Sequence, residues 1–370
     1  MKRDTEAGRR VDEMMLKTSG DAMLVRPTTR AEKAALRRRV QAGELVEPFP
    51  CMFERADAWE QLLPDQRMRR ILSTLGASRP DIVFCSYSAA VIHRLPVSYR
   101  LLSRVHVAAG TKEASHNSHH IVRHRMARVP SVEVDGVRVT PLVDTVIDCL
   151  ITASLGDGLA IADAFLRQLD IERELLVDLV AVLGAARRGV ARALYTASWA
   201  DGRSESGGES IARGVMIEEG IVPADLQVSF TDPVDRESTM RGDYLFRLLD
   251  GTQVLGELDG KEKYVNKNMT GGKPLSNILL EERKRESHLT MLGMPVVRFT
   301  MEDVWKKGRV KQLLAAADVR PDTIAADTYL ATAKKPPTEN PYAAPAVAPE
   351  DIEFRLRRAL RKGIISGPLL

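Results

Sequence analysis

The sequence predicts a mixed α/β (α+β) protein of more than one domain, and three observations predict it. The chain has 370 residues, above the usual size of a single domain. Apolar residues recur at helical spacing in some stretches and alternate in others, so helices and strands are interleaved. In the last third, two strand-like runs meet at Asp250-Gly251-Thr252 and read as a hairpin with helix patterns on either side.

Composition narrows the class. Hydrophobic residues make up 44% of the chain, enough for buried cores. The 54 Lys and Arg against 50 Asp and Glu leave a net charge of +4, which is compatible with a nucleic-acid partner without requiring one. Cys51, Cys85 and Cys149 lie far apart with no CxxC pairing, so neither a disulfide framework nor a zinc site is expected. MKRDTEAGRR is charged, and no apolar run approaches the roughly 20 residues of a membrane span. A cytoplasmic protein without membrane contact is the expectation.

Residues 1–20 are polar without sustained periodicity and read as a flexible, partly ordered arm. In RPTTRAEKAALRRRVQAGELVEPFPCMFER, Thr28 or Thr29 caps a helix on which Leu36 and Val40 share a face, and Gly43 sits where a C-terminal cap belongs. Short extended runs at 44–46 and 51–54 follow, around Pro48 and Pro50. Helix followed by a small hairpin is the order of a winged helix, expected over residues 21–60. In that order the helix lies in a DNA groove and the wing touches backbone, with Arg30, Lys33, Arg37, Arg38 and Arg39 directed at phosphate. A solvated basic helix packing on its neighbours is the alternative.

Residues 61–200 read as an α/β and helical region. A helix is expected over 64–76, and DIVFCSYSAAVIHRLPV reads as a buried strand entering a short helix that Pro96 ends. SRVHVAAG and VEVDGVRVTP alternate as strands, the second around an Asp135-Gly136 turn. Leu159, Ala162, Phe165, Leu166 and Leu169 mark an amphipathic helix, and 175–186 another. His116, His119, His120 and His124 cluster without a Cys or acidic partner at ligand spacing, which favours plain surface or nucleic-acid contact over a metal site. Residues 201–317 form a further α/β domain. A Pro- and Ala-rich linker is expected over 318–349, and a basic helix or tail over 350–370.

The hairpin in MRGDYLFRLLDGTQVLGELDGKEKY carries the chemistry. A three-residue loop at 250–252 pairs 249 with 253 and 243 with 259. Tyr244, Phe246, Leu248, Val254, Gly256 and Leu258 then form an apolar face, and Asp243, Glu257 and Asp259 share the other, with Lys261 and Lys263 beyond. A two-residue loop would mix polar and apolar positions on both faces, at the cost of burying carboxylates. Convergent carboxylates repel unless a cation sits among them. Hard oxygen donors suit Mg²⁺ or Mn²⁺, and a neighbouring lysine can orient water and stabilise a phosphate transition state. That combination is the chemistry of phosphodiester hydrolysis. A charged, solvated strand edge is the bland alternative.

Asp243, a loop, then Glu257-Leu258-Asp259 with a trailing lysine resembles the core of PD-(D/E)XK nucleases, in the branch similar to very-short-patch-repair endonucleases. ESGGESIARGVMIEEGI and EERKRESHLTMLGMPVVRFTMEDV extend the resemblance on either side. It implies a restriction-endonuclease-like mixed sheet flanked by helices, Glu209, Asp243 and Glu257 as metal ligands, Asp259 as a supporting acid, and Lys261 or Lys263 on the scissile phosphate. Arg283, Lys284 and Arg285 match basic positions near substrate phosphate in that family. The sequence departs from the motif where Asp259 stands two residues after Glu257; only Asp259-Gly260-Lys261 meets the spacing literally, and no proline precedes Asp243. The N-terminal half resembles AbiEi-type antitoxins of type IV toxin–antitoxin systems through GELVEPFPCMF, SYSAAVIHRLPV, VRVTPLVDTVIDC and ADAFLRQ. That likeness implies DNA binding and, as a second reading, a regulator with a cognate toxin and a non-cleaving nuclease-like domain.

Overall fold

A computed structural model describes residues 6–18, 23–111, 117–185, 187–259, 283–285 and 287–321. His116, Lys261, Lys263, nearly all of the linker and the C-terminal segment lie outside the described residues. The architecture is mixed α/β. Up to Cys149 the chain forms one compact unit and from Leu150 a second, so the helices after 150 group with the later sheet rather than with the region expected over 61–200. Among the described residues no helix is long and apolar enough to cross a membrane.

The first unit opens with a correction. Residues expected as an arm form helix α1 (Glu6–Thr18). Val11 is fully buried, and Met14 and Met15 pack beside it against Leu36 and Phe53. One valine and two methionines at i, i+3 and i+4 make a stripe too short to stand out from a polar background. Helix α2 (Arg30–Gln41) starts at Thr29, whose hydroxyl accepts from the Glu32 N–H at 3.1 Å while Glu32 accepts from the Thr29 N–H at 3.0 Å. Strands β1 (Leu45–Phe49) and β2 (Met52–Arg55) form the expected hairpin, and Val25 bridges to Phe53 on its outer side.

Helices α3 (Ala56–Glu60) and α4 (Pro64–Ser78) follow. The stretch expected as a strand before α5 (Ser86–Ile92) contributes only Phe84, which bridges to Val107 and Val139. A 3-10 turn (Tyr99–Leu101) leads to β3 (Val105–Gly110), parallel to β4 (Ile121–Met126). Strands β5 (Val132–Val134) and β6 (Val137–Val139) pair around Asp135 and Gly136, at φ of 51° and 72°; a two-residue turn with both φ positive matches the strand twist. Within the histidine-rich segment, His124 stacks on His106, with 2.8 Å between His106 Nδ1 and His124 Nε2.

After α6 (Leu142–Thr152), the second unit runs through α7 (Leu155–Leu169), α8 (Arg173–Leu183), α9 (Val190–Ser198) and α10 (Gly207–Glu218). Strands β7 (Asp225–Thr231), β8 (Thr239–Arg247) and β9 (Gln253–Asp259) form an antiparallel meander, and β10 (Val296–Thr300) joins β9 in parallel, giving the order β10-β9-β8-β7. Helices α11 (Met301–Trp305) and α12 (Arg309–Ala315) close the described chain. Tyr244, Phe246, Val254 and Phe299 from the sheet pack against Ala212 and Met216 of α10 and Val304 of α11.

Helix α10 is seated on α7 by two devices. Gly214 meets Gly156 backbone to backbone: a Cβ on Gly214 would lie 2.4 Å from the Gly156 Cα. Beside it, Arg213 Nη2 donates to both Asp163 oxygens at 2.9 and 2.8 Å, and Nη1 donates to the Trp199 carbonyl at 2.6 Å. Asp163 also accepts from the Asp201 N–H at 2.7 Å, and the Asp163 and Arg213 side chains are 0% and 6% exposed. These bonds answer part of the pair's desolvation: burial still pushes the Asp163 carboxyl above its ordinary range, and Arg213 Nε has no hydrogen-bond partner among the described residues.

Gly214→Ala should lower stability by about 1–3 kcal/mol, because backbone cannot move aside as a side-chain tip can; urea unfolding midpoints measure it. Asp163→Leu should cost about 3–5 kcal/mol by stranding a buried guanidinium, and Asp163→Leu with Arg213→Met should recover most of that loss. A double-mutant cycle reads the coupling.

Candidate active site

The hairpin β8–β9 brings Asp243 and Glu257 together, with a different register from the expected one. Arg247, not residue 249, pairs with Gln253, and Tyr244 pairs with Gly256. The loop is three residues long, as anticipated, but one position earlier: the Leu248 N–H donates to the Thr252 carbonyl at 2.8 Å, leaving 249–251 as the turn. Gly251 takes the positive φ of 88° that the third loop position demands, and Leu249 points to solvent. The slip in pairing is two residues, and an even slip preserves faces. Asp243, Glu257 and Asp259 therefore still converge.

They line a cleft of about 540 Å³ together with Glu205, Asp232 and Gln227, faced by Arg241, Lys284, Arg285 and His288. The ladder between β8 and β9 ends at Tyr244 and Gly256. Beyond it the Asp243 carboxylate accepts the Leu258 N–H at 2.8 Å, so a side chain takes over from the strand. Glu257 is buried, its side chain 5% exposed. Arg285 Nη2 donates to Glu257 Oε1 at 2.6 Å, and Arg298 Nη2 lies 3.1 Å from Oε2. Burial pushes the Glu257 carboxyl above its ordinary range, while Arg285 and Arg298 oppose that shift. Arg298 also stands 3.9 Å from Asp259.

Glu209 serves α10 first. Its carboxylate accepts from the Ser206 hydroxyl at 2.7 Å and the Glu205 N–H at 2.8 Å, while the Ser206 hydroxyl accepts the Glu209 N–H, which caps the helix start. Tyr244 donates its phenol hydrogen to the Glu209 carbonyl at 2.8 Å, fixing the helix end over β8. Burial pushes the Tyr244 hydroxyl well above its usual range, so it remains a donor.

Sequence reasoning missed Gln227. It sits within β7 at φ +52°, a left-handed conformation that non-glycine residues rarely hold inside a strand. Its amide donates to Glu209 at 2.8 Å and lies 3.4 Å from Asp243, so it spans two of the expected ligands. It missed His288 as well. His288 Nδ1 lies 2.8 Å from Asp232, and this bond, first among the causes, holds the Asp232 carboxyl below its usual range. The backbone N–H groups of Val234 and Asp235 also donate to Asp232. A glutamine in a strand and a histidine on a helix, far apart in sequence, carry no signal before the sheet is built.

Comparison with family models, curated proteins and solved structures gives no match, so the reading of this cleft rests on its own geometry.

Of the residues expected to meet DNA, Arg30 and Arg38 are exposed on α2, and Lys33 is half-buried. Arg37 is committed to Glu47 at 3.1 Å and Arg39 to Asp12 at 2.6 Å. Arg283 and Lys284 are exposed, and Arg285 turns into the cleft.

Gln227→Gly and Gln227→Ala both remove the amide, but only alanine keeps the backbone strain. The glycine variant should be the more stable by about 1 kcal/mol in urea denaturation; equal midpoints would show that the strand is unstrained there.

Proposed function

We propose that the protein hydrolyses phosphodiester bonds in DNA with Mg²⁺ or Mn²⁺, its α2–β1–β2 segment acting as a winged helix that directs it to the duplex. The observation carrying this reading is the opposition of Asp243 and Glu257 across β8–β9, in a cleft that also holds Asp259, Arg285 and His288. The mixed sheet led in by α10 and followed by α11 supports the nuclease-like layout.

The donor chemistry fits a hard divalent ion: two carboxylates and the glutamine that spans to a third. Among the described residues, however, no three Asp, Glu, His or Cys side chains stand as a ready group for a metal. Both Glu257 oxygens face guanidinium groups there. An ion held by Asp243 and Glu257 would polarise a phosphoryl oxygen and lower the pKa of a bound water.

The chain's own residues divide the remaining work. Arg285 is placed to exchange Glu257 for a substrate phosphate oxygen, a planar donor for a planar pair of acceptors. Asp232 holds His288 through Nδ1, which leaves Nε2 to hold or pass a proton at the cleft. Gln227 fixes the spacing of Glu209 and Asp243. Lys261 or Lys263 is assigned to the scissile phosphate on the resemblance alone.

The guanidinium clamp on Glu257 also favours a second reading, in which the cleft no longer cuts and the protein is a DNA-binding regulator or antitoxin that uses Arg38 and its neighbours. Supercoiled plasmid and short duplexes incubated with the protein and Mg²⁺ or Mn²⁺ separate the two. Cutting that Asp243→Ala reduces by at least about a hundredfold, as expected of a group acting in the transition state, supports the nuclease. No cutting in either metal, with DNA binding retained and lowered by Arg38→Ala, supports the regulator.

A further inference from the structure

A second cleft, of about 430 Å³, lies wholly within the first unit, between the end of β1, helix α4, the 3-10 turn and the start of β3. Its lining chemistry is the reverse of the first. Five carboxylates line the cleft around Asp243; among the described residues none lines this one, and Arg67, Arg100 and Arg104 do. A concave surface with that balance selects an anion.

The same walls carry the rings of Phe49, Trp59, Tyr99 and His120. Phe49 and His120 sit 5.4 Å apart at 58°, and Tyr99 is 46% exposed, which leaves its ring accessible to a ligand. Arg67 is held by neutral groups: Nε donates to the Trp59 carbonyl at 3.0 Å, Nη2 to the Glu60 carbonyl at 3.2 Å, and its guanidinium lies 5.5 Å from the centre of the Trp59 ring. Carbonyl acceptors and a π face orient the group without neutralising it, so its charge is offered to a ligand.

We propose that this cleft binds an unstacked nucleobase with its attached phosphate, presented by a single strand of nucleic acid. Rings offer stacking to a base, and arginines meet the phosphate that accompanies it. The volume falls in the range of sites that enclose a nucleotide-sized ligand. Duplex DNA cannot supply the contact, because its base faces are already stacked. An acidic peptide supplies charge without a π face and leaves the rings unused. The proposal takes nothing from the cleft around Asp243 and holds whether or not that cleft cuts.

The test is fluorescence anisotropy of the full chain with a labelled single-stranded oligonucleotide in EDTA, so that cleavage plays no part. Exposed Tyr99 is the informative position. Tyr99→Ala should weaken binding roughly tenfold, within the range for loss of one stacked base, and Tyr99→Phe should bind as the parent does. Arg104→Ala should reduce the salt dependence by about one phosphate contact. Competition by unlabelled oligonucleotide but not by a mononucleotide such as dAMP at comparable concentration supports a strand as the source of the ligand; equal competition by dAMP would overturn it. Absence of single-strand binding, unchanged binding in Tyr99→Ala, loss in Tyr99→Phe equal to that in alanine, or equal competition by polyglutamate would each overturn it.

Discussion

The seating of α10 on α7 is the contact on which the second unit depends. Helix α10 has one face on the sheet, where Ala212 and Met216 meet Tyr244 and Phe246, and another on α7. Two glycines allow the backbones to touch, and Asp163 with Arg213 fixes the rotation of one helix against the other. Contact alone would let the helices slide; an ion pair in which Arg213 Nη2 meets both Asp163 oxygens while the two side chains also bind the Trp199 carbonyl and the Asp201 N–H restricts that freedom. Helix α10 thus delivers its N-terminus, with Glu209 and the carbonyl that Tyr244 holds, to the rim of the cleft. The helical segment from 150 to 200 is part of that support.

The cleft around Asp243 is a balance of charges held close to one another. Glu257 is buried as a carboxylate would ordinarily not be, and two guanidinium groups answer its charge. Asp243 accepts hydrogen bonds from the Leu258 N–H and the Gln227 amide. Those are different solutions to one problem, and they leave the two acids with different freedom. A carboxylate held by side-chain guanidinium groups can exchange partners, whereas one that caps the strand ladder through a backbone N–H is tied to the sheet. Gln227 stores backbone strain at the same spot, which the bonds to Glu209 and Asp243 offset.

Much of the fold was legible because its signals are local. A threonine at 28 or 29 announces a helix start, which the structure places at Thr29, Asp135-Gly136 announces a turn, and the stripe from Leu159 to Leu169 announces a helix. Helix α1 was not legible, since its apolar stripe has meaning only against the Leu36 and Phe53 it covers. A run of apolar residues before Ser86 predicts a strand, but that run joins the sheets only through the bridges made by Phe84. Hairpin parity survived the misplaced turn, because the alternation of polar and apolar residues fixes faces but not the partner of each residue.

The sequence by itself determined that the chain is mixed α/β and that Asp243, Glu257 and Asp259 share one face of a hairpin, since strand alternation is a property of consecutive residues. Only the tertiary structure decided that Arg285 and Arg298 close on Glu257, that Gln227 reaches from Glu209 toward Asp243, and that Asp232 and His288 meet at the same cleft. Those partners come from strands and helices separated by tens of residues. Their approach is fixed by sheet order and by the packing of α10, which no local pattern encodes.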